Sequence, residues 1–276
     1  MPSPTRRLAG ASPPACSSFL ALLLVSIFVA SCAATESTER PLPGTRFDHV
    51  VVFAEGEALF DWLEVHLTHA EALNTRHEGQ GTRGRYFLLL NAFVEVLTLE
   101  DAEEARSNEG AFGSPYVPRW QSDEAAPVAI GLTLDESSFA EPPFAHVRYR
   151  ESDGGSGYVM ASGNADLAAP LIYATGPARA YPVRASVDEV DSIQDEGRRE
   201  TVRRYLTHPS GVKALTDVLW RSPALGLTGT NAELLRGIAG VSLEPALDHE
   251  LVLEFDHAEK GREVRFAGRP SVVLRY

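Results

Sequence analysis

Cysteine is nearly absent from this chain. Only Cys16 and Cys32 occur among its 276 residues, both close to the amino terminus. A disulfide framework and a cysteine-based zinc site each need several thiols in the folded region, so both are excluded. Thiolate catalysis is excluded for the same reason. A chain of this length can bury an ordinary hydrophobic core, and it needs no covalent crosslinks to fold.

Basic residues are also scarce. The chain has 38 acidic residues against 25 lysines and arginines, which gives a formal net charge of −13 at pH 7. Such a surface repels phosphate backbones and anionic lipid headgroups, so we expect no nucleic-acid partner. A Gly-x-Ser-x-Gly motif is missing too, and with it any support for a hydrolase built on that nucleophile turn.

No apolar run reaches the roughly 20 residues of a membrane span. The longest, Phe19 to Val29, follows Arg6 and Arg7 and is followed by small residues. A basic segment, an apolar segment and a small-residue site in that order predict a secretory signal over residues 1–31.

The end of this segment, Val29-Ala30-Ser31-Cys32, resembles the lipobox of bacterial lipoproteins. That resemblance implies that Cys32 becomes the lipidated first residue of the mature chain; ordinary cleavage near Ala33 or Ala34 is the alternative. Each buried CH2 of an acyl chain contributes about 0.8 kcal/mol, so a multiply acylated Cys32 would hold the protein on a membrane of the cell envelope. Cleavage removes two arginines and no acidic residue, and the net charge becomes −15.

Composition divides the remaining chain into four parts. Residues 32–46 are predicted to form a polar tether, 47–176 a first module with extra strands, 177–211 a charged linker containing a solvated helix, and 212–276 a second module. Within the first module, the acidic and turn-rich residues 102–126 are predicted to form a loop.

Two predicted strands each carry one polar residue on an apolar face. Period-two alternation places His49 with Phe47, Val51 and Phe53, and it places Glu95 with Phe93, Leu97 and Leu99. A carboxylate among apolar side chains is costly unless a metal, a base or several donors compensate it. His49 and Glu95 are therefore candidate catalytic residues, with Glu95 a possible general base; a buried structural pair is the alternative.

The order strand, helix and three strands is predicted for 47–101 and again for 212–276, with little identity between the copies. The first copy opens with Asp48-His49-Val50 and closes with Phe93-Val94-Glu95-Val96-Leu97. These features, with the turn Gly79-Gln80-Gly81-Thr82, resemble the glyoxalase-like branch of the vicinal oxygen chelate superfamily. The resemblance is good over the first copy and weaker over the second.

The resemblance implies an α+β fold in which two βαβββ modules form a cupped mixed sheet. It also implies that His49 and Glu95 meet in one cavity and bind a divalent metal ion. Aligning Thr216-Asp217-Val218 with Asp48-His49-Val50 makes Asp217 a possible third ligand. His208 is a spare candidate.

By the same resemblance, the function is that of a metal-dependent lyase, isomerase or dioxygenase acting on a small oxygenated molecule. Gln80, Thr82, Arg83 and Arg85 are then expected to rim the cavity and bind substrate. The alternative is a non-catalytic, small-molecule-binding envelope lipoprotein on the same fold. A homodimer is left open.

Overall fold

The structure, a computed structural model, describes residues 41–150 and 157–276. The predicted signal and Cys32 lie outside the described residues. Within those residues, every helix is too short or too polar to cross a membrane.

Thirteen strands in the described residues form two mixed sheets, of eight and five strands. The strands are β1 Thr45–Ala54, β2 Thr75–His77, β3 Thr82–Leu88, β4 Phe93–Leu99, β5 Val128–Leu134, β6 His146–Tyr149, β7 Tyr158–Ala161, β8 Leu171–Thr175, β9 Leu215–Ser222, β10 Val241–Pro245, β11 Glu250–Phe255, β12 Glu263–Phe266 and β13 Ser271–Arg275. The α-helices in the same part of the chain are α1 Ala58–Glu64, α2 Ala102–Phe112, α3 Pro118–Gln121, α4 Glu136–Ala140, α5 Glu196–Tyr205 and α6 Thr230–Arg236.

The first half of the eight-stranded sheet is the predicted βαβββ unit. Its strand order is β2-β3-β4-β1, and β1 runs parallel to β4. Helix α1 follows β1 and buries Leu59, Phe60 and Leu63, which recur at the spacing of one helical face. The first and last strands of the unit are therefore neighbours, which brings residues far apart in sequence to adjacent positions.

A second βαβββ unit lies at 128–175, immediately after the first. Strand β5, helix α4 and strands β6 to β8 form it, with β5 parallel to β8 and the order β5-β8-β7-β6. Antiparallel pairing of β1 with β5 joins the two units into one sheet. The α+β architecture with paired βαβββ modules and a cupped mixed sheet is confirmed.

Residues 212–276 contain the predicted strand, helix and three strands, as β9, α6, β10, β11 and β13, but these do not pair like the first unit. They form a separate five-stranded sheet in the order β10-β9-β11-β13-β12, where β11 lies between β9 and β13. The four-residue strand β12 was missed, because so short a strand gives a weak periodic signal. Strands β5 to β8 were expected as extra strands of the first module, and they instead form the second unit of the eight-stranded sheet.

The two faces of the eight-stranded sheet bury different partners. On the back face, alternate strand residues pack with α1 and with the five-stranded sheet in one large core; its members include Val50, Val94, Ile130, Ile172, Val218, Trp220, Leu253 and Phe255. The side-chain amide of Asn91 adds a polar link, because it donates to the Leu215 carbonyl (2.7 Å) and accepts from the Leu215 amide (2.9 Å).

The front face of the sheet is covered by α2 and α3, where a loop was predicted. Asp101 caps α2 by accepting hydrogen bonds from the amides of Glu103 and Glu104, and Gly113 ends the helix with φ +74°. An acidic N-cap, glutamates in the first turn and a left-handed glycine at the end are helix signals, and here they outweigh the polar composition.

Residues 177–211 do not form a free linker. A 3-10 turn at Val187–Ser192 and helix α5 fold back on the eight-stranded sheet, where Val190, Tyr205 and Leu206 are buried. The segment also reaches the front face, since the Tyr181 amide donates to the Asp48 carboxylate at 2.9 Å. The predicted charge is present on its outer side, but its apolar side is part of the core.

Candidate functional site

A cavity of about 250 Å³ lies on the front face of the eight-stranded sheet. Its floor is formed by the paired strands β1, β4, β5 and β8, and its cover by α2 and the segment that follows it. Its lining is largely aromatic with a few polar groups: Asp48, His49, Val51, Phe53, His77, Gln80, Tyr86, Phe93, Glu95, Leu97, Phe112, Tyr116, Ala129, Tyr158, Leu171, Tyr173, Thr175 and Arg179. Concave, apolar lining with convergent polar groups is typical of a small-molecule site.

His49 and Asp48 both line the cavity because β1 contains a bulge. The register with β5 shifts between Phe47 and His49, which leaves Asp48 as the extra residue. Phe47 consequently packs into the back core, so its expected place on the face of His49 is wrong.

Asp48 is a buried carboxylate with a full set of donors. It accepts hydrogen bonds from His49 Nδ1 (2.8 Å), Thr133 Oγ1 (2.6 Å) and the Tyr181 amide (2.9 Å). Burial raises the pKa of Asp48, but the hydrogen bonds and the nearby imidazole outweigh burial, and the pKa lies below its ordinary value. Asp48 is therefore ionised and accepts, so His49 Nδ1 is the donor in the bond between them.

The other ring nitrogen of His49 is also engaged. Nε2 accepts a hydrogen bond from the Tyr173 hydroxyl, which completes a chain from Asp48 through His49 to Tyr173. The imidazole stacks on Phe93, with 4.0 Å between ring centroids. A carboxylate, a ring stack and a phenol thus fix both the tautomer and the orientation of His49.

Glycine at position 131 makes room for this imidazole. Gly131 is the β5 residue paired with His49, and a Cβ there would lie against the ring atoms of His49. A second glycine, Gly84 on β3, does the same beside Glu95 Oε1 and the Tyr86 hydroxyl. Two polar groups of the site therefore depend on the lack of a side chain opposite them.

Glu95 is 6% exposed, and its Oε1 has no hydrogen-bond partner. It pairs with Val51 across the parallel β1–β4 ladder and with Tyr86 across the β3–β4 ladder. The nearest imidazole nitrogen is His77 Nε2, at 3.9 Å, which is beyond hydrogen-bonding distance. The resemblance implied that His49 and Glu95 share one cavity, and both line it.

The phenols of the cavity remain protonated. Burial, followed by the negative charge of Glu95, raises the pKa of both Tyr86 and Tyr173 well above its ordinary value. Burial also raises the pKa of Tyr116 to about 12. These hydroxyl groups can donate to a ligand, but they do not act as resident bases.

The four expected substrate-binding residues divide between the two faces of β3 and its preceding turn. Gln80 lines the cavity, and Thr82 lies behind its lining with Oγ1 3.0 Å from His77 Nδ1. Arg85 lies on the opposite face, where it stacks over Phe60 and pairs with Glu57. Arg83 is also away from the cavity, in an ion pair with Glu100.

Arg83 and Arg85 therefore do not contribute to the site as expected. Both are odd-numbered residues of β3, whereas the even-numbered residues Gly84 and Tyr86 face the cavity. Side chains alternate along a strand, so a shift of one residue places a side chain on the opposite face of the sheet.

The expected metal ligands do not fit a closed divalent-metal site. Within the described ranges, no three His, Cys, Asp or Glu side chains are grouped so as to hold a metal ion. Asp48 on Nδ1 would suit a metal-binding histidine, but Nε2 of His49 is taken by Tyr173. Of the expected set, Glu95 offers an unpartnered oxygen.

Asp217 lies elsewhere. It belongs to β9 in the five-stranded sheet, where it accepts a hydrogen bond from Ser242 Oγ at 3.3 Å. The spare candidate, His208, is buried beside Thr68, whose amide donates to its Nδ1 at 2.9 Å. The structure brings neither residue to the cavity.

The second βαβββ unit explains why two further ligands are missing. Glu95 pairs with Val51, and Tyr173 pairs with Gly131 in the same parallel arrangement. Val51 and Gly131 are each three residues before the carboxyl end of their strands, β1 and β5. Tyr173 is therefore the counterpart of Glu95. Two residues earlier on the same strands, Ala129 is the counterpart of His49. A methyl group and a phenol thus replace the donors that a symmetric metal site would take from this unit.

Sequence reasoning missed most of the aromatic lining. Tyr158 and Tyr173 come from strands assigned to the first module as extras, and Phe112 and Tyr116 come from the segment predicted as loop. His77 and Tyr86 were within reach, because both flank the turn that the sequence had singled out. Tyr86 is paired with Glu95 across the β3–β4 ladder, so its side chain lies on the same face of the sheet.

Comparisons with known proteins bear on the fold. No family model matches the sequence, and no curated protein matches it. A crystal structure of a hypothetical protein from Staphylococcus aureus matches with a TM-score of 0.50 and 11% sequence identity, over 83% of this chain and 98% of that chain. The likeness is one of fold. At this identity it carries no information about ligand or activity.

Proposed function

We propose that the protein is a glyoxalase-like member of the vicinal oxygen chelate superfamily that binds a small organic molecule without a resident metal. The observation that carries this proposal is the aromatic cavity between two βαβββ units, with His49 held by Asp48 and Tyr173. Pockets that hold drug-sized ligands measure about 300–1,000 Å³, so a cavity of about 250 Å³ suits a smaller molecule.

Binding without a metal follows from the donor set. A first-row metal needs about four ligands or three and a water, and the expected ligands supply one free oxygen, from Glu95. The metal-dependent lyase, isomerase or dioxygenase of the resemblance would first have to break the contact between His49 and Tyr173. Non-catalytic binding uses the arrangement as it stands.

The test is thermal unfolding of the full-length protein in detergent with a panel of small aromatic and aliphatic molecules, with and without a chelator. A ligand at 100 times its Kd contributes about 2.7 kcal/mol, which raises Tm measurably. Stabilisation that the chelator leaves unchanged is expected. Stabilisation that appears only after divalent metal is added would contradict binding without a metal.

A cavity-filling variant locates the site. Ala129 lies on the cavity floor and is buried, so Ala129→Leu should abolish stabilisation by every molecule that binds there. Ala111→Leu is the matched control, since Ala111 is exposed on α2. If Ala129→Leu binds as the wild type does, the cavity is not the binding site.

One observation favours catalysis as a second candidate: the chain of Asp48, His49 and Tyr173. In that case the Tyr173 hydroxyl would turn its hydrogen bond from His49 Nε2 to a ligand oxygen and stabilise negative charge that develops there, with no net proton transfer. Tyr173→Phe should then retain binding and stop conversion of a bound molecule, followed by NMR. A ligand that the wild type binds and leaves chemically unchanged would contradict this candidate.

Export and lipid anchoring at Cys32 complete the proposal. The support is the order of basic, apolar and small residues before Cys32. In a bacterial host, the protein should incorporate labelled palmitate and fractionate with the cell envelope, and Cys32→Ser should do neither. Incorporation of label that survives Cys32→Ser would contradict anchoring at this residue.

A further inference from the structure

Glu95 has one carboxylate oxygen, Oε1, that accepts no hydrogen bond from the described protein groups; the nearest imidazole nitrogen, His77 Nε2, is 3.9 Å away. Burial of a carboxylate oxygen without a donor is unfavourable. Asp48, by contrast, accepts from a ring nitrogen, a hydroxyl and an amide. Of the two carboxylates that line the cavity, Glu95 is therefore the one that can accept from a ligand.

The surroundings of Glu95 favour a positive partner. Tyr86, Phe93 and Tyr173 line the same cavity, and aromatic faces attract cations. Tyr86 and Phe93 are in edge-to-face contact, with 5.8 Å between ring centroids, so they form one aromatic wall. The permanent cation of the lining, Arg179, is exposed and lies over the ring of Tyr158 at 5.3 Å.

The kind of cation follows from what Oε1 lacks. It lacks a hydrogen-bond donor, which a protonated amine supplies and a quaternary ammonium does not. A divalent metal would need further ligands, and the described His, Cys, Asp and Glu side chains form no group of three around it. Oε1 and the Tyr86 hydroxyl both lie against Gly84, where a Cβ would displace them.

We propose that the ligand of this cavity is a small protonated amine with an apolar, preferably aromatic, body. Its ammonium group donates to Glu95 Oε1 within this aromatic lining, and its body fills the space over Ala129 and Leu171. This inference rests on the proposed function, since it names the class of molecule that the same cavity binds.

The test compares three probes of one shape on the full-length protein: 2-phenylethylamine, the neutral 2-phenylethanol and the anionic 3-phenylpropanoate. Calorimetry at neutral pH should show the amine binding at least about tenfold more tightly than the alcohol, the ratio that one charge-assisted hydrogen bond supplies. The anion should not bind. Equal affinities for amine and alcohol would overturn the inference.

Glu95→Gln removes the charge and keeps the shape. In this variant the amine should lose its advantage over the alcohol, while Tm in the absence of ligand confirms that the variant is folded. Glu103→Gln is the matched control, because Glu103 is exposed on α2. Selectivity for the amine that persists in Glu95→Gln would overturn the role of this carboxylate.

The outcomes separate this inference from the proposed function. Binding of the alcohol or the anion without preference for the amine leaves a small-molecule site and overturns the cation. Mn²⁺ or Zn²⁺ that binds stoichiometrically and displaces the amine overturns both the cation class and the absence of a metal. Failure of the amine to bind, while other molecules stabilise the protein, overturns the inference alone.

Discussion

Asp48 and His49 are consecutive residues of a β-strand, yet both side chains line the same cavity and are joined by a 2.8 Å hydrogen bond. Strand alternation would place them on opposite faces, and the bulge in β1 cancels that alternation for one residue. The dyad therefore exists because of a backbone irregularity, and the same bulge turns Phe47 into the core behind the sheet.

The first prediction concerns this dyad. Because the pKa of Asp48 is lowered in the folded protein, its ionised form stabilises the fold above its ordinary pKa, and this contribution is lost as the pH falls through the folded-state pKa. Asp48→Asn should destabilise the protein by roughly 1–3 kcal/mol near neutral pH and by less in acid.

Urea unfolding at a series of pH values measures this difference. Asp61→Asn is the control, since Asp61 is exposed on α1. A destabilisation by Asp48→Asn that stays constant down to about pH 2, roughly two units below the ordinary pKa of an aspartate, would show that charge plays no part.

The second prediction concerns the glycine beneath His49. A Cβ at Gly131 would meet the imidazole, so Gly131→Ala should cost roughly 1–3 kcal/mol and weaken ligand binding. Gly110→Ala is a matched control: nothing surrounds that position in α2, and alanine should stabilise the helix by up to about 1 kcal/mol. Denaturant unfolding of both variants gives the comparison, and equal stability of the two would contradict the crowding.

The third prediction concerns acid stability and His208. Burial lowers the pKa of His208 to about 4, so the unfolded chain takes up a proton on this residue before the folded protein does. Its neutral form stabilises the fold fully above the ordinary pKa of about 6.5, and stability falls as the pH drops toward 4, by up to about 3 kcal/mol.

His208→Asn keeps an acceptor for the Thr68 amide and removes the titration. The variant should lose less stability than the wild type between about pH 6.5 and 4. The slope should not vanish, because burial also lowers the pKa of His66 and His249. His257→Asn, at an exposed left-handed position that asparagine tolerates, is the control; a slope equal to that of wild-type protein in His208→Asn would contradict the assignment.

The fourth prediction concerns a buried guanidinium. Arg119 is fully buried and donates to the carbonyls of Ala126 and Ala169, each at 2.9 Å, which ties the loop before β5 to the turn before β8. Both of these bonds come from Nη1, while Nη2 donates to the Asn164 carbonyl at 3.4 Å. Lysine has one nitrogen, so Arg119→Lys leaves part of this set of buried carbonyls without a donor and should cost roughly 1–3 kcal/mol. Thermal unfolding against Arg198→Lys, an exposed site on α5, measures it, and equal Tm values would argue against a structural role for the fork.

The sequence predicted the first βαβββ unit because its signals are strong. Alternation over the seven residues of β4 was enough to assign Glu95 to a shared face, and both His49 and Glu95 line the cavity. The strands of the second unit were predicted, but only as extra strands of the first module, because the helix α4 between β5 and β6 was missed. A helix of five residues is too short to show a helical period.

The polar partners of the site lay further out of reach. Tyr173 meets His49 only through the pairing of β1 with β5 and of β5 with β8, which is a property of the whole sheet. The bulge at Asp48 has no signal in a single sequence. Helix α2 is different: Asp101, Glu104 and Gly113 mark its ends, and reading these caps would have given the cover of the cavity.

The two hydrogen bonds between Asn91 and Leu215 are among the contacts by which the cavity-bearing sheet depends on the five-stranded sheet. The amide extends the hydrogen bonding of one sheet to the other, and Trp220 and Phe255 close the hydrocarbon surface behind the strands that bear His49 and Glu95. The carboxyl-terminal region contributes no residue to the lining of the cavity, yet it packs behind the strands that form the cavity floor. Removing residues 212–276 would expose the apolar back face of the eight-stranded sheet to water, so we expect the half that holds the cavity not to fold stably without them.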